Sequence, residues 1–161
     1  MNEHIRYHQN NVHWIIKGSY SKEVINILKS SIFRSTDTGN VIKSNPVRTV
    51  KTITLEGGCV LYCKHYKAKG WRDLVKYTFF GSKAKREWTN GIEILKRDIF
   101  TGEPVAYGEK KSNGFTSDNF LLIKAVPQSK PLDDILSDNK PENILKFKER
   151  RMFLKRLALF M

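Results

Sequence analysis

Three short strand-like runs, separated by tight turns, constrain this chain more than any other feature. Residues 48–55 carry Val, Ile and Thr in an imperfect period of two, the mark of a half-buried strand, residues 41–43 hold Val and Ile, and residues 59–66 form an apolar run. Ser44, Asn45 and Pro46 separate the first two runs, and Glu56, Gly57 and Gly58 separate the second pair. Turns this short join antiparallel neighbours, so the three strands form a meander.

The period then changes. Over 70–80, Trp71, Leu74, Val75 and Phe79 recur at helical spacing, and over 82–97 Ala84, Trp88, Ile92 and Leu95 do the same behind Ser82, a good N-cap. Gly102 and Pro104 end the helical stretch. Residues 105–108 and 120–126, with Ser112, Asn113 and Gly114 between them, read as a hairpin. Three strands, helices and two strands predict an α+β fold with a five-stranded antiparallel sheet. An earlier helix is expected over 22–33, with Ser21 as its cap and Val24, Ile25, Leu28 and Ile32 on one face. Residues 1–20 are polar and aromatic, and a loosely docked terminus is expected there. His4 and His8 would share a face of a helix, but a third metal ligand does not suggest itself. Further helices are expected over 132–136 and from Pro141 onward.

Twenty-nine Lys and Arg against 16 Asp and Glu give a net charge of +13, which calls for an anionic partner: nucleotide, phospholipid, lipopolysaccharide or nucleic acid. Eight of those cations and a single Asp lie between Lys64 and Arg86. The two cysteines, Cys59 and Cys63, share one strand. At about 3.3 Å per residue they stand roughly 13 Å apart, too far for a disulfide, so core packing in a reducing compartment is expected. No run reaches the length of a membrane span, and the N-terminus lacks an apolar signal core. A cytoplasmic protein follows.

Within this frame, Lys64 closes the apolar run CVLYCK of residues 59–64, and Glu87 lies on the basic helix that follows. A strand-end lysine is commonly a solvated edge residue, and Glu87 could pair as well with Lys83 at i−4. The segments NPVR at 45–48, VLYCKHYK at 60–67, GWRD at 70–73, SKAKREWTN at 82–90, EPVAYGE at 103–109 and NFLLI at 119–123 nevertheless keep a distinctive order and spacing. In that order the chain resembles the N-terminal lobe of the lipopolysaccharide kinase (Kdo/WaaP) family, a protein-kinase-like fold, from about residue 40 to 161.

The resemblance implies an N-terminal segment over 1–39, a kinase-like N-lobe with its C-type helix over 40–124, and a hinge with the first helices of an incomplete C-lobe over 125–161. It places Lys64 on the α/β-phosphates of ATP, with Glu87 orienting it, and puts Ile123 beside the base, with Lys124 and Val126 offering main-chain contacts. It implies ATP and magnesium as cofactors and a lipopolysaccharide inner-core sugar (heptose or Kdo, on Kdo–lipid A) as acceptor, at the cytoplasmic face of the inner membrane. Two departures stand out. The turn Lys43 to Arg48 has no glycine to cradle phosphates, and Tyr62 shares the face of Lys64 where such folds favour a smaller residue. Neither catalytic nor metal-binding residues are assigned: no His-Asp or Asp-Phe-Gly-like segment is present, and His65 is not a credible base. The last helix runs uncapped to Met161, so the chain is expected to be the front part of a larger kinase and inactive alone. The alternatives are a non-enzymatic basic module for nucleic acid or anionic membrane, and a pseudokinase-like interaction domain. Nucleic acid is not the expected partner, because the aromatics fall at helical core spacing.

Overall fold

In the computed structural model the described residues are 4–29, 40–55, 57–99 and 101–126. All belong to the first of the chain's two units, Met1–Val126 and Pro127–Met161. The helices expected over 132–136 and from Pro141 lie outside the described residues, as does the end of the helix expected over 22–33.

The three strand-like runs fold as the meander their turns require. Strands β3 (Val41–Asn45), β4 (Arg48–Thr54) and β5 (Val60–Lys67) pair in sequence, all antiparallel. Helices α2 (Trp71–Phe80) and α3 (Lys83–Lys96) follow, and then the hairpin β6 (Pro104–Ser112) and β7 (Phe115–Lys124). Strand β7 lies against β5, which closes the five-stranded arrangement read from the sequence.

Two more strands extend it. Residues expected to hang loosely form a hairpin, β1 (His4–Gln9) and β2 (Val12–Lys17), and β2 pairs with β6. The sheet therefore has seven strands in the order β1-β2-β6-β7-β5-β4-β3. Asn10 and Asn11 make the turn, with φ of 52° and 60°, the conformation that two-residue hairpin loops demand and that Asn tolerates. Val12, Trp14 and Ile16 alternate inward from β2, whereas every residue of the edge strand β1 is exposed or half-buried, which is why its sequence carries no apolar alternation. His4 and His8 are on this strand and not on a helix. His4 meets the Trp88 ring edge-on at 5.6 Å, and His8 lies beside His13 across the hairpin. Among the described residues no cluster of three or more metal-ligating side chains exists.

Strand alternation gives the sheet two apolar faces, and a helix covers each. Helix α1 (Ser21–Lys29) brings Val24, Ile27 and Leu28 onto Val12, Trp14, Ile16, Ile53, Leu61, Cys63 and Leu122. Cys63 is a core residue, and burial raises its thiol to about 12, which keeps it protonated and inert. Helix α3 puts Ala84 and Trp88 onto Tyr66 and Leu121 of the opposite face, with Ile15, Ile92, Tyr107 and Ile123 packed around them. Helix α2 departs from the expectation for it. Leu74 and Val75 are half-buried, but Trp71 is 70% exposed, Phe79 75% and Phe80 76%. Polar contacts hold this helix instead: the Thr116 N–H donates to Thr78 Oγ1 at 3.1 Å, and the Lys69 N–H donates to Asp73 Oδ2 at 2.8 Å.

Gly91 lets α3 approach the sheet closely, since a Cβ there would fall 2.5 Å from Cγ of the buried Pro104 ring. Helix propensity alone favours Gly91→Ala by about 1 kcal/mol. Overpacking against a rigid ring on a paired strand costs about 1–3 kcal/mol, so the variant is expected to melt at lower temperature than the wild type in a circular-dichroism scan. A rise in melting temperature would show that the contact is not tight.

Candidate functional site

Lys64 and Glu87 converge. Lys64 lies in β5 between Val50 of β4 and Leu121 of β7, and its side chain is on the α3 face with Tyr62 and Tyr66. Its Nζ donates to Glu87 Oε2 at 3.1 Å, with the two side chains 28% and 31% exposed. The pair is thus withdrawn from bulk water without being sealed from it. Tyr66 completes the arrangement: its hydroxyl donates to Glu87 Oε1 at 2.8 Å, so both carboxylate oxygens are held. Lys83, the helical neighbour that could have competed for Glu87, has its ammonium over the Tyr66 ring, 5.0 Å from the centroid. Burial, and then the bond to Glu87, push the Tyr66 phenol far above its ordinary range, with Arg48 working against the shift. Tyr66 is therefore a permanent donor to the carboxylate.

The position of Glu87 is set at the start of its helix. Ser82 is fully buried and caps α3, with its side chain accepting from the Lys85 N–H at 3.2 Å. Asn119 of β7, also fully buried, accepts from the Ala84 N–H at 2.9 Å and reaches the Tyr66 carbonyl with Nδ2 at 3.5 Å. Two of the helix's first N–H groups, which have no partners inside the helix, are thereby satisfied, one of them by the sheet itself. This fixes the axial position of α3 and brings Glu87 level with Lys64. Tyr66 and Asn119 were not singled out in the sequence. A tyrosine two residues beyond Lys64 on the same face was a usable signal, whereas nothing local distinguishes Asn119 from a polar residue on a strand.

Ile123 is on the same face, opposite Tyr62 in the ladder and packed on the α3 cluster. Lys124 is placed differently. Its N–H donates to the Glu103 carbonyl at 2.8 Å, and its Nζ lies 5.8 Å from the centroid of the Tyr20 ring. Ala125 donates to the Val60 carbonyl at 2.8 Å, and Val126 follows at the strand's exit. Half-buried Tyr62 stands between Thr52 and Ile123 on the Lys64 face, as its register requires.

Two other polar groups are structural. Glu103 accepts from Lys17 and, at 2.9 Å, from the Tyr20 hydroxyl; burial raises its carboxyl, but these partners outweigh it and hold the group below its usual range. His65 shares 2.9 Å with Asp118 Oδ1 and stacks on Phe120 at 4.4 Å, so it is away from the Lys64 face and engaged.

The model for the lipopolysaccharide kinase (Kdo/WaaP) family matches residues 23–161. The chain belongs to that family. Members of the Kdo/WaaP group are thus its relatives, although no curated protein matches it. A solved structure described as WaaP in complex with acyl carrier protein resembles it with a TM-score of 0.49 at 14% identity, over 80% of this chain. The chain spans about half, 48%, of that structure's chain.

Replacing Tyr66 by Phe removes one donor from Glu87 in a half-buried setting, and a loss of about 1 kcal/mol is expected in urea denaturation. The His65 bond, against the opposing effect of burial, lowers Asp118 from its ordinary 3.8. A carboxyl lowered by folding contributes stability above its unfolded value that disappears as pH falls through the folded one. The stability gap between wild type and Asp118→Asn is therefore expected at neutral pH and closes below about pH 4. A gap unchanged down to pH 2 would contradict this assignment.

Proposed function

We propose that residues 4–126 form the nucleotide-binding lobe of an ATP-dependent kinase that phosphorylates an inner-core sugar of lipopolysaccharide, heptose or Kdo. The observation that carries this reading is the Lys64–Glu87 pair, held at 3.1 Å across the interface of sheet and helix, on a chain of this family. A half-buried carboxylate with two donors fixes an ammonium better than a fully exposed ion pair does. Lys64 is then a preset positive charge for phosphate oxygens, and Glu87 with Tyr66 keeps it from collapsing elsewhere.

The residues present fit such a ligand at its phosphate end. Glu87 neutralises Lys64 alone, while Arg48 and Lys83 flank Tyr66 on the same side with no ion pair of their own among the described residues. Ile123 borders the base, and the main chain of Lys124 and Val126 runs along the base edge, with the Lys124 N–H bonded to the Glu103 carbonyl. Magnesium-bound ATP supplies the transferable phosphoryl group; no residue of this chain is assigned to the metal.

The acceptor would be met at the cytoplasmic surface of the inner membrane. Helix α2 suits that surface, because Trp71, Val75 and Phe79 form one ridge at i, i+4, i+8 and Arg72 and Lys76 the next. Exposed aromatics beside cations are what an anionic headgroup layer takes. No helix among the described residues is long and apolar enough to cross a membrane.

ATP titration by calorimetry tests the nucleotide site: Lys64→Met and Glu87→Gln are each expected to weaken binding about tenfold or more. Wild-type affinity in Lys64→Met would defeat the reading. Sedimentation with vesicles tests α2, where Phe79→Ala is expected to lower binding to anionic but not to zwitterionic liposomes. Salt-steep binding to an oligonucleotide without vesicle binding would instead identify a nucleic-acid module.

A further inference from the structure

The β3–β4 hairpin lies at the sheet margin nearest the Lys64 pair, with Arg48 directly opposite Tyr66. A loop that binds polyphosphate through its backbone must present free N–H groups. This one presents none at its tip. Pro46 has no N–H, and those of Val47 and Arg48 both donate to Asn45 Oδ1, at 3.1 and 2.7 Å. Asn45 thus turns the hairpin tightly by using up the amides that a phosphate would need.

What the hairpin offers instead is a side chain. Arg48 shares the face of Val50 and Lys64, and it is the diagonal neighbour of Lys64 across the β4–β5 ladder, a separation of about 7–8 Å that two long side chains easily bridge. Its Nε is buried and has no hydrogen-bond partner among the described residues, where such a group normally finds one. Among the described residues no ion pair to a carboxylate is formed by Arg48, and each oxygen of Glu87 already accepts a bond, from Lys64 or Tyr66. Lys83 adds a further cation on the same Tyr66 ring. Lys64 on the Glu87 carboxylate, Arg48 and Lys83 beside Tyr66, and a buried guanidinium nitrogen lacking an acceptor among the described residues describe half of an anion site.

We infer that Arg48 is a phosphate-binding residue, which takes the polyphosphate of the nucleotide with its guanidinium fork where the hairpin's amides cannot. The inference rests on the nucleotide-binding reading above. Lys64 and Arg48 hold neighbouring phosphate oxygens, one as a point charge and the other as a planar pair of donors. The Asn45 turn keeps Arg48 in place.

The test is calorimetric titration of the 161-residue chain with ATP, adenosine and inorganic tripolyphosphate, for the wild type, Arg48→Ala, Arg48→Lys and Lys64→Met. Arg48→Ala is expected to lose about tenfold or more in affinity for ATP and tripolyphosphate while adenosine changes less than twofold. Arg48→Lys, which keeps the charge and loses the fork, should fall between. ATP affinity within twofold of wild type in Arg48→Ala, with the Lys64→Met loss intact, overturns the inference and leaves the nucleotide site standing. A wild type that binds neither ATP nor adenosine overturns both. Should Arg48→Ala fail to fold by circular dichroism, Arg48→Lys decides, since wild-type binding of ATP and tripolyphosphate by that variant overturns the role of the fork.

Discussion

The hydrogen bond from the Ala84 amide to the buried Asn119 side chain ties the first turn of α3 to the central strand β7, and the candidate site follows from that attachment. A helix resting on an apolar face alone can slide by a residue at modest cost, because ridges and grooves repeat along it. A buried polar anchor cannot, since leaving it unpaired costs about 1–3 kcal/mol. With Ser82 capping the same turn, α3 has one axial position. In that position Glu87, a little over one turn onward, reaches both Lys64 and Tyr66. Gly91, one turn further, lets the helix lie close enough on Pro104 for those bonds to be short.

The sheet contributes a division of labour between its faces. Residues of one parity on β5, Leu61 and Cys63, serve the α1 core, and those of the other parity, Tyr62, Lys64 and Tyr66, serve the site. The same parity separates His65 and Lys124 from the site despite their closeness in sequence to Lys64 and Ile123. His65 is bonded to Asp118 and stacked on Phe120, and the ammonium of Lys124 lies over Tyr20. A one-residue register shift would exchange the two sets, so the apolar core on the α1 side is what keeps the charged residues on the α3 side. Stability and function are linked here through strand alternation rather than through any shared residue.

The α+β order, the meander, both helices after it and the final hairpin were legible because each has its own period and its own turn residues. The same local signals missed β1 and β2: an edge strand needs no apolar alternation, and the Asn10–Asn11 turn is a weaker mark than one containing glycine. They misjudged α2 in the opposite sense, since helical spacing of Trp71, Val75 and Phe79 shows a stripe but not which way the stripe faces. The glycine-free turn was visible in the sequence. That Asn45 consumes the amides of this turn depends on hydrogen-bond geometry that composition does not contain.

The sequence by itself determined the elements from β3 to β7 and their order, because periodicity and turn residues are local properties, and its resemblance to the kinase family singled out Lys64 and Glu87. Only the tertiary structure decided that these two meet, that Tyr66 shares the carboxylate, that Asn119 sets the helix and that Arg48 keeps a buried nitrogen without a partner among the described residues. Each of those outcomes is a contact between residues far apart along the chain. Such contacts depend on how deep, how tilted and in what register the elements pack, and no single segment encodes that.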